Sequence, residues 1–429
     1  MKKTIIYNAR CVDPETDYDA HGGVVIVDGL IQDIFTAKER PDSEDKDTVF
    51  IDAKGCVLCP SLCDIFVGVG EPGGHHKENF QSLNRAALYG GITAVMIDPD
   101  TAPVLDTPAT VDYALSHAVK HADIDVYVAA ALTKNLSGQD MTEMGLLSDV
   151  GVSCLTDGDK SLPNSLILYR ALSYSLAENM VIATYADDPL LSDDGIAHDG
   201  FVSSLYGLKP VPAVSEQIGL MRDIELAKAT GAKLHVRGIS SAASLPIIAR
   251  AKDEGVDLTV SVSAQHIALN ENDIIPYKSF LKMRPPLRSE DDRAALSEAV
   301  CNGLIDIVIS QHRPRHADTK RLPYQEADFG CSAIETLLSI ILELYHNGKA
   351  SLVEVLKRVT IAPRKRFGLS GGLLQIGASA DLIVVDIDRG YKLERHLMRS
   401  NSTNTPYEGR LLQGICQQVF KAGEVIYES

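Results

Sequence analysis

No run of the 429 residues is long and uniformly apolar enough to cross a bilayer, which excludes a helical membrane protein. Basic charge is scarce as well: 41 Lys and Arg stand against 58 Asp and Glu, a formal net charge of −17. Binding nucleic acid displaces counterions with clustered Lys and Arg, so this balance argues against it and fits simple solubility. No secretory leader is visible, because Met1-Lys-Lys leads into a short strand-like run, Thr4 to Tyr7, and the expected compartment is the cytoplasm. Zinc-site cysteine spacing is missing too. Of eight cysteines only Cys56, Cys59 and Cys63 cluster, and no second Cys/His group completes a four-ligand set. On a strand Cys56 and Cys59 face opposite sides, so small buried apolar residues are their expected role. Also absent is a His-Glu-x-x-His pair. That absence speaks against helical zinc proteases.

What is present, 45% hydrophobic and 23% charged residues, is enough for a large core. Residues 1 to about 55 alternate with period two, as in Gly23-Val-Val-Ile-Val-Asp-Gly29, with turns at Asp13-Pro14 and Asp28-Gly29. Ala380-Asp-Leu-Ile-Val-Val-Asp386 and the run from Gln418 to Tyr427 have the same strand character at the other end. The two ends, 1–55 and 366–429, are therefore expected to form one small β-sandwich domain. Between them, residues 56–365 alternate apolar runs such as Thr93-Ala-Val-Met-Ile97, Val181-Ile-Ala-Thr184 and Ile305-Asp-Ile-Val-Ile309 with amphipathic stretches such as Ser215 to Thr230. Continuously apolar runs mark parallel strands buried on both faces. Strand and helix units repeated over this length predict an α/β fold, a (β/α)8 TIM-type barrel with its chemistry at the C-terminal ends of the strands.

Residues 56–76 read as an apolar strand from Val57 to Val69 running into a Glu71-Pro72-Gly73 turn. Pro60, Asp64, Glu71, Pro72 and Gly73 keep the frame of the pattern Pro-Gly-x-x-Asp-x-His-x-His-x-Arg-Glu-Pro-Gly. Lys77-Glu78, Gly90-Gly91-Ile92-Thr93, Arg222-Asp-Ile-Glu-Leu-Ala227, Pro285-Pro-Leu-Arg288 and Asn404-Thr-Pro406 follow in order. In these features the chain resembles the dihydroorotases of the cyclic amidohydrolase superfamily along nearly its whole length. The resemblance implies a barrel that opens or closes a cyclic amide with water activated by zinc, the metal held by four histidines and acidic ligands or a carboxylated lysine.

The resemblance also assigns each site position, and nearly all have changed. The paired strand histidines fall on Phe66 and Gly68, and the carboxylate-binding arginine on Gly70. Tyr185 and Gly238 stand at two further ligand histidines, Asp100 at the substrate asparagine, and Gln311 at the acid that takes the proton from metal-bound water. Asp157 is the one carboxylate kept from an Asp-Asp-Gly run. Phe and Gly cannot ligate, an amide has no basic lone pair, and losing a cation while gaining an anion should repel an anionic substrate. His235, His312, Arg237, Arg313 and Arg315 remain as possible residual ligand contacts.

The expectation is a pseudo-dihydroorotase with zinc absent and no catalytic or metal-binding residue, kept for a structural or regulatory role in pyrimidine biosynthesis. The resemblance implies a partner, the catalytic chain of aspartate transcarbamoylase, and a homodimer is the default from the commonness of two-fold oligomers. Two alternatives stay open. One is an active cyclic-amide hydrolase with a relocated metal site, at His75, His76, His312 and His316, or a magnesium site at Asp157, Asp187 and Asp188. The other is a small-anion sensor lined by Phe66, Tyr185, Arg237, Arg313 and Arg315. Taken singly, each of these arginines reads as ordinary surface charge.

Overall fold

The computed structural model describes residues 2–36 and 48–429, so part of the expected 1–55 segment, 37–47, lies outside the described residues. The N-terminal end supplies β1 (Lys3–Asp13), β2 (Tyr18–Val27), β3 (Leu30–Phe35), β4 (Val49–Asp52) and β5 (Val57–Pro60). The barrel strands are β6 (Leu62–Val67), β7 (Ile92–Ile97), β8 (Asp125–Ala131), β9 (Cys154–Thr156) and β10 (Val181–Tyr185). A short ribbon, β11 (Ala197–His198) with β12 (Pro210–Val211), follows before the barrel resumes with β13 (Leu234–Arg237), β14 (Leu258–Ser263) and β15 (Ile307–Ile309). The C-terminal end adds β16 (Leu382–Lys392), β17 (Leu411–Lys421) and β18 (Glu424–Glu428).

The two chain ends share one sheet, in the order β18-β17-β16-β5-β1-β2-β3 with β4 alongside β1. Its core draws on both: Ile6, Val24 and Ile26 pack with Leu382, Val384 and Phe420. The single strand expected from Val57 to Val69 is in fact two. It breaks at Ser61, so that Val57–Pro60 pairs with β1 and β16 while only Leu62–Val67 enters the barrel. Arg364 holds the break, its guanidinium donating to the Ser61 carbonyl at 2.7 Å.

The barrel strands run parallel in the order β6-β7-β8-β9-β10-β13-β14-β15. β7 shows why: every residue from Ile92 to Ile97 is buried, as apolar strands covered on both faces require. One side chain and one backbone bond close the ring between β15 and β6. The Asp64 carboxylate accepts from the Ser310 N–H at 2.9 Å and from its hydroxyl, and the Gly68 N–H donates to the His312 carbonyl at 2.7 Å. Helices on the outside start at side-chain caps, among them Asn79, Thr107 and Ser289, each satisfying a free first-turn N–H. Phe367, at the end of the helix Ile361–Phe367, packs edge-on to Phe66 inside the barrel, with ring centroids 5.7 Å apart.

His235 belongs to this interior and not to a ligand site, a correction to its expected role. Its ring lies 5.5 Å from Phe66 and 5.2 Å from Phe367, and its nitrogens meet the hydroxyls of Thr259 (2.8 Å) and Ser261 (3.1 Å). Desolvation, with the charges of Arg366 and Arg237, holds its pKa well below the ordinary range. His266, bonded to Ser263 and the Pro286 carbonyl, is likewise lowered by burial to about 4. Both rings fold neutral and take up protons when the chain unfolds, so the stability they lend is complete above their unfolded pKa near ~6.5 and is lost as pH falls toward the folded value. Asp64 works in the opposite sense: burial raises it to about 6, so its contribution is complete below ~3.9 and fades as pH rises through 6. Replacing His266 by Asn is therefore expected to flatten the decline of the unfolding free energy, measured by urea titration, between pH 7 and 5, by up to about 1.4 kcal/mol per pH unit. Parallel pH profiles for the two proteins would contradict this account of His266.

Candidate functional site

Two arginines meet one aspartate at the C-terminal mouth of the barrel. Asp98 follows the last residue of β7 and is 0% exposed; Arg237 ends β13 at 3% and Arg313 follows β15 at 4%. Arg237 grips Asp98 with both nitrogens, at 2.8 and 2.7 Å, and reaches Asp159 at 3.1 Å. Arg313 also binds Asp98, and pairs with Asp100 at 3.0 Å and Asp159 at 3.2 Å. Neither arginine is the surface charge expected of it singly. A guanidinium moved out of water is tolerated only when paired, and here desolvation is more than offset by the three carboxylates, so both pKa values rise. In return, against the opposing effect of desolvation, Arg313 and Arg315 hold the Asp100 carboxyl below its ordinary pKa.

This network occupies the ground around the changed positions. The Arg237 guanidinium lies 4.2 Å over the ring of Phe66, which sits at a bulge between Ile65 and Val67 with a left-handed φ of 60°. A non-glycine residue held there costs of order 1–3 kcal/mol and persists only where its surroundings enforce it. Gly68 leaves the path of Arg313 free, for a Cβ at 68 would stand 3.0 Å from the His312 carbonyl oxygen and 3.1 Å from Arg313 Cδ. At Gly70 no side chain fits at all, since a Cβ would fall 2.0 Å from the Gly74 oxygen. Gln311, also left-handed at φ 49°, donates from its amide to the Arg284 carbonyl at 2.7 Å, a bond an ionised acid could not make. Gly238 turns the chain out of β13. Asp157 accepts from the Thr133 N–H and hydroxyl, and burial raises its pKa. Tyr185 is buried at the end of β10, its phenol raised well above the ordinary range by desolvation.

The alternative metal sites do not assemble. His312 is buried away from the mouth, accepting the Ala333 N–H at Nδ1 and facing Glu78 at 3.3 Å through Nε2, so it is no ligand contact either. His75 lies beside Glu71 at 3.6 Å, and His76 meets His316 edge-on with ring centroids 5.5 Å apart. Asp188 caps the helix Pro189–Ser192, Asp187 accepts from the Ser192 hydroxyl, and Asp157 is held by Thr133. Among the described residues no three His, Cys, Asp or Glu side chains converge so as to hold a metal ion. The donor set present therefore does not fit the zinc that the resemblance implies. The thiol of Cys63 is buried and raised to about 11 by desolvation, which suits an inert apolar filler.

A cavity of about 330 Å³ opens at the mouth, walled by Asp157, Asp159, Lys160, Arg284, Arg313 and Arg315. A second of about 200 Å³ shares Asp159, Lys160, Arg284 and Phe329 with it and reaches Tyr185 and Asp187. Asp98, Asp159, Lys160 and Arg284 carry much of this site and escaped the sequence reading. A signal existed for the first: an arginine inside the buried strand Leu234–Arg237 demands a carboxylate at the same level of the barrel, and Asp98 ends an otherwise apolar run.

Two family models match the chain: one described as dihydro-orotase-like over residues 55–244, and the amidohydrolase family over 193–426. The dihydroorotase of Ehrlichia canis is 35% identical over 99% of this chain and 95% of its own length. That of Syntrophotalea carbinolica is 34% identical over 99% of both chains. The L-hydantoinase of Arthrobacter aurescens superposes with a TM-score of 0.88 over 100% of this chain and 96% of its own; at 23% identity it speaks for the shared fold alone. No helix among the described residues is long and apolar enough to cross a membrane. Matched along its length by dihydroorotases at 35% identity, and folded as a barrel with an appended sheet, the chain belongs to the dihydroorotase family of amidohydrolases.

Proposed function

We propose that this chain is a non-catalytic dihydroorotase homologue, a pseudo-dihydroorotase that works in pyrimidine biosynthesis by supporting the assembly of aspartate transcarbamoylase. One observation supports the loss of catalysis: the buried cluster of Asp98, Arg237 and Arg313 stands at the barrel mouth where a hydrolase needs metal donors and a base. The purified protein, given zinc and dihydroorotate, is expected to form carbamoyl aspartate no faster than buffer with zinc. Stoichiometric zinc with turnover would overturn the reading. The relatives' name, dihydroorotase, favours a second one, hydrolysis of a cyclic amide, which in this chain would need an atypical metal site, and the same assay decides between them.

A role carried by the outer surface is supported by the helices Ser165–Ser175 and Ala213–Thr230, which pack side by side. They expose Leu166 (54%), Tyr169 (43%), Val214 (45%), Ile218 (38%) and Met221 (45%). Large apolar side chains grouped in this way mark protein interfaces. Mixing the chain with the aspartate transcarbamoylase catalytic chain is expected to yield one complex by light scattering, and Leu166→Asp with Ile218→Asp to dissolve it while the circular dichroism stays unchanged. Separate peaks for the two unmodified proteins would sink the partnership. The mass of the chain run alone reports the proposed homodimer.

A further inference from the structure

The charges at the barrel mouth divide into two groups. Arg237 and Arg313 are spent, each neutralised by aspartates. Lys160, Arg284 and Arg315 line the same cavity of about 330 Å³ and stand in no ion pair among the described residues. Each is nevertheless held in place by a contact that leaves its charge intact. The Lys160 ammonium donates to the Leu136 carbonyl at 3.2 Å, the Arg284 guanidinium lies 4.5 Å over the Phe329 ring, and Arg315 Nε donates to the Phe329 carbonyl at 2.7 Å. The carboxylates of the wall are engaged in turn: Asp100 and Asp159 with arginines, Asp157 with Thr133.

We infer that this cavity binds a small dianion, a phosphate ester or a dicarboxylate, between Lys160, Arg284 and Arg315 without turning it over. The inference deepens the non-catalytic reading by naming what the mouth of the barrel holds. Three cations on one wall that form no salt bridge among the described residues, facing aspartates already bonded to other groups, favour an anionic ligand, and guanidinium forks match phosphate and carboxylate alike. The volume suits a metabolite at the small end of ordinary ligand sites. Leu136, Met283 and Phe329 provide an apolar wall for the body of such a molecule.

The test is calorimetric titration of the full-length, metal-free protein with inorganic phosphate and, separately, with succinate, at low ionic strength. Saturable binding of one ion per chain is expected, weakening as chloride is raised. Binding of phosphate alone identifies the phosphate-ester class; binding of succinate alone identifies the dicarboxylate class. Arg284→Gln and Arg315→Gln are each expected to weaken binding at least tenfold, while Lys349→Gln, an equal charge change on an exposed residue, leaves it unaltered. Should Arg315→Gln fail to fold for want of its bond to Phe329, Lys160→Gln at an exposed side chain gives the same readout. No saturable binding of either ion, or wild-type affinity in folded Arg284→Gln and Lys160→Gln proteins, overturns the site. Turnover in the zinc assay would sink the non-catalytic reading and leave this site standing; absent binding sinks the site and leaves that reading intact.

Discussion

Replacing Asp98 by Ala is expected to destabilise the chain by about 3–5 kcal/mol, the usual cost of removing one partner of a buried ion pair. The reason is the number of charges that lean on it. Arg237 donates to it twice and Arg313 also binds it, all three residues being nearly or wholly withdrawn from water. Asp159 and Asp100 still face the two guanidiniums, which keeps the loss from being larger. Urea unfolding of the two proteins measures it. In an Arg237→Met background the same substitution is expected to cost less, since one of the stranded cations is gone, and that coupling is the signature of a shared network. A loss below about 1 kcal/mol in the wild-type background would mean that water reaches the cluster and that the barrel mouth is not closed by it.

Restoring the family's strand histidines, Phe66→His together with Gly68→His, is expected to leave the protein without zinc and less stable by several kcal/mol. Phe66 forfeits its packing on Phe367 and the guanidinium of Arg237 stacked 4.2 Å above it, losses of the kind that cost ~2–5 kcal/mol in cores. A side chain at 68 meets Arg313 Cδ at 3.1 Å and the His312 oxygen at 3.0 Å, and overpacking of that kind adds typically ~1–3 kcal/mol. Two imidazoles would also face a site already holding Arg237 and Arg313, whose charges disfavour a metal cation. Metal analysis after equilibration with zinc, paired with a thermal melt, reads both effects. A double variant that took up one zinc per chain at wild-type stability would show that the arginines move aside easily.

Particular residues show how far a reading of the chain reaches. β7 and β10 were legible because a run buried on both faces is apolar throughout, and such a run announces itself locally. The break at Ser61 was not, because it depends on Arg364, 303 residues further on. At the site, the identities of Phe66, Gly68 and Gln311 already excluded ligation and proton transfer at those positions. His235 and His312 misled, since an imidazole in a sequence does not tell whether hydroxyls and backbone amides already satisfy it.

The sequence by itself determined the barrel and the appended sheet, because side-chain type and short-range periodicity are properties of each segment alone. Only the tertiary structure decided which charges meet at the barrel mouth. Arg237 lies 139 residues from Asp98 and Arg313 lies 215 from it, separations over which no spacing rule operates. Closing the ring of strands brings their ends to one mouth, and there the energetic need to pair a buried charge selects the partner that local sequence leaves undefined.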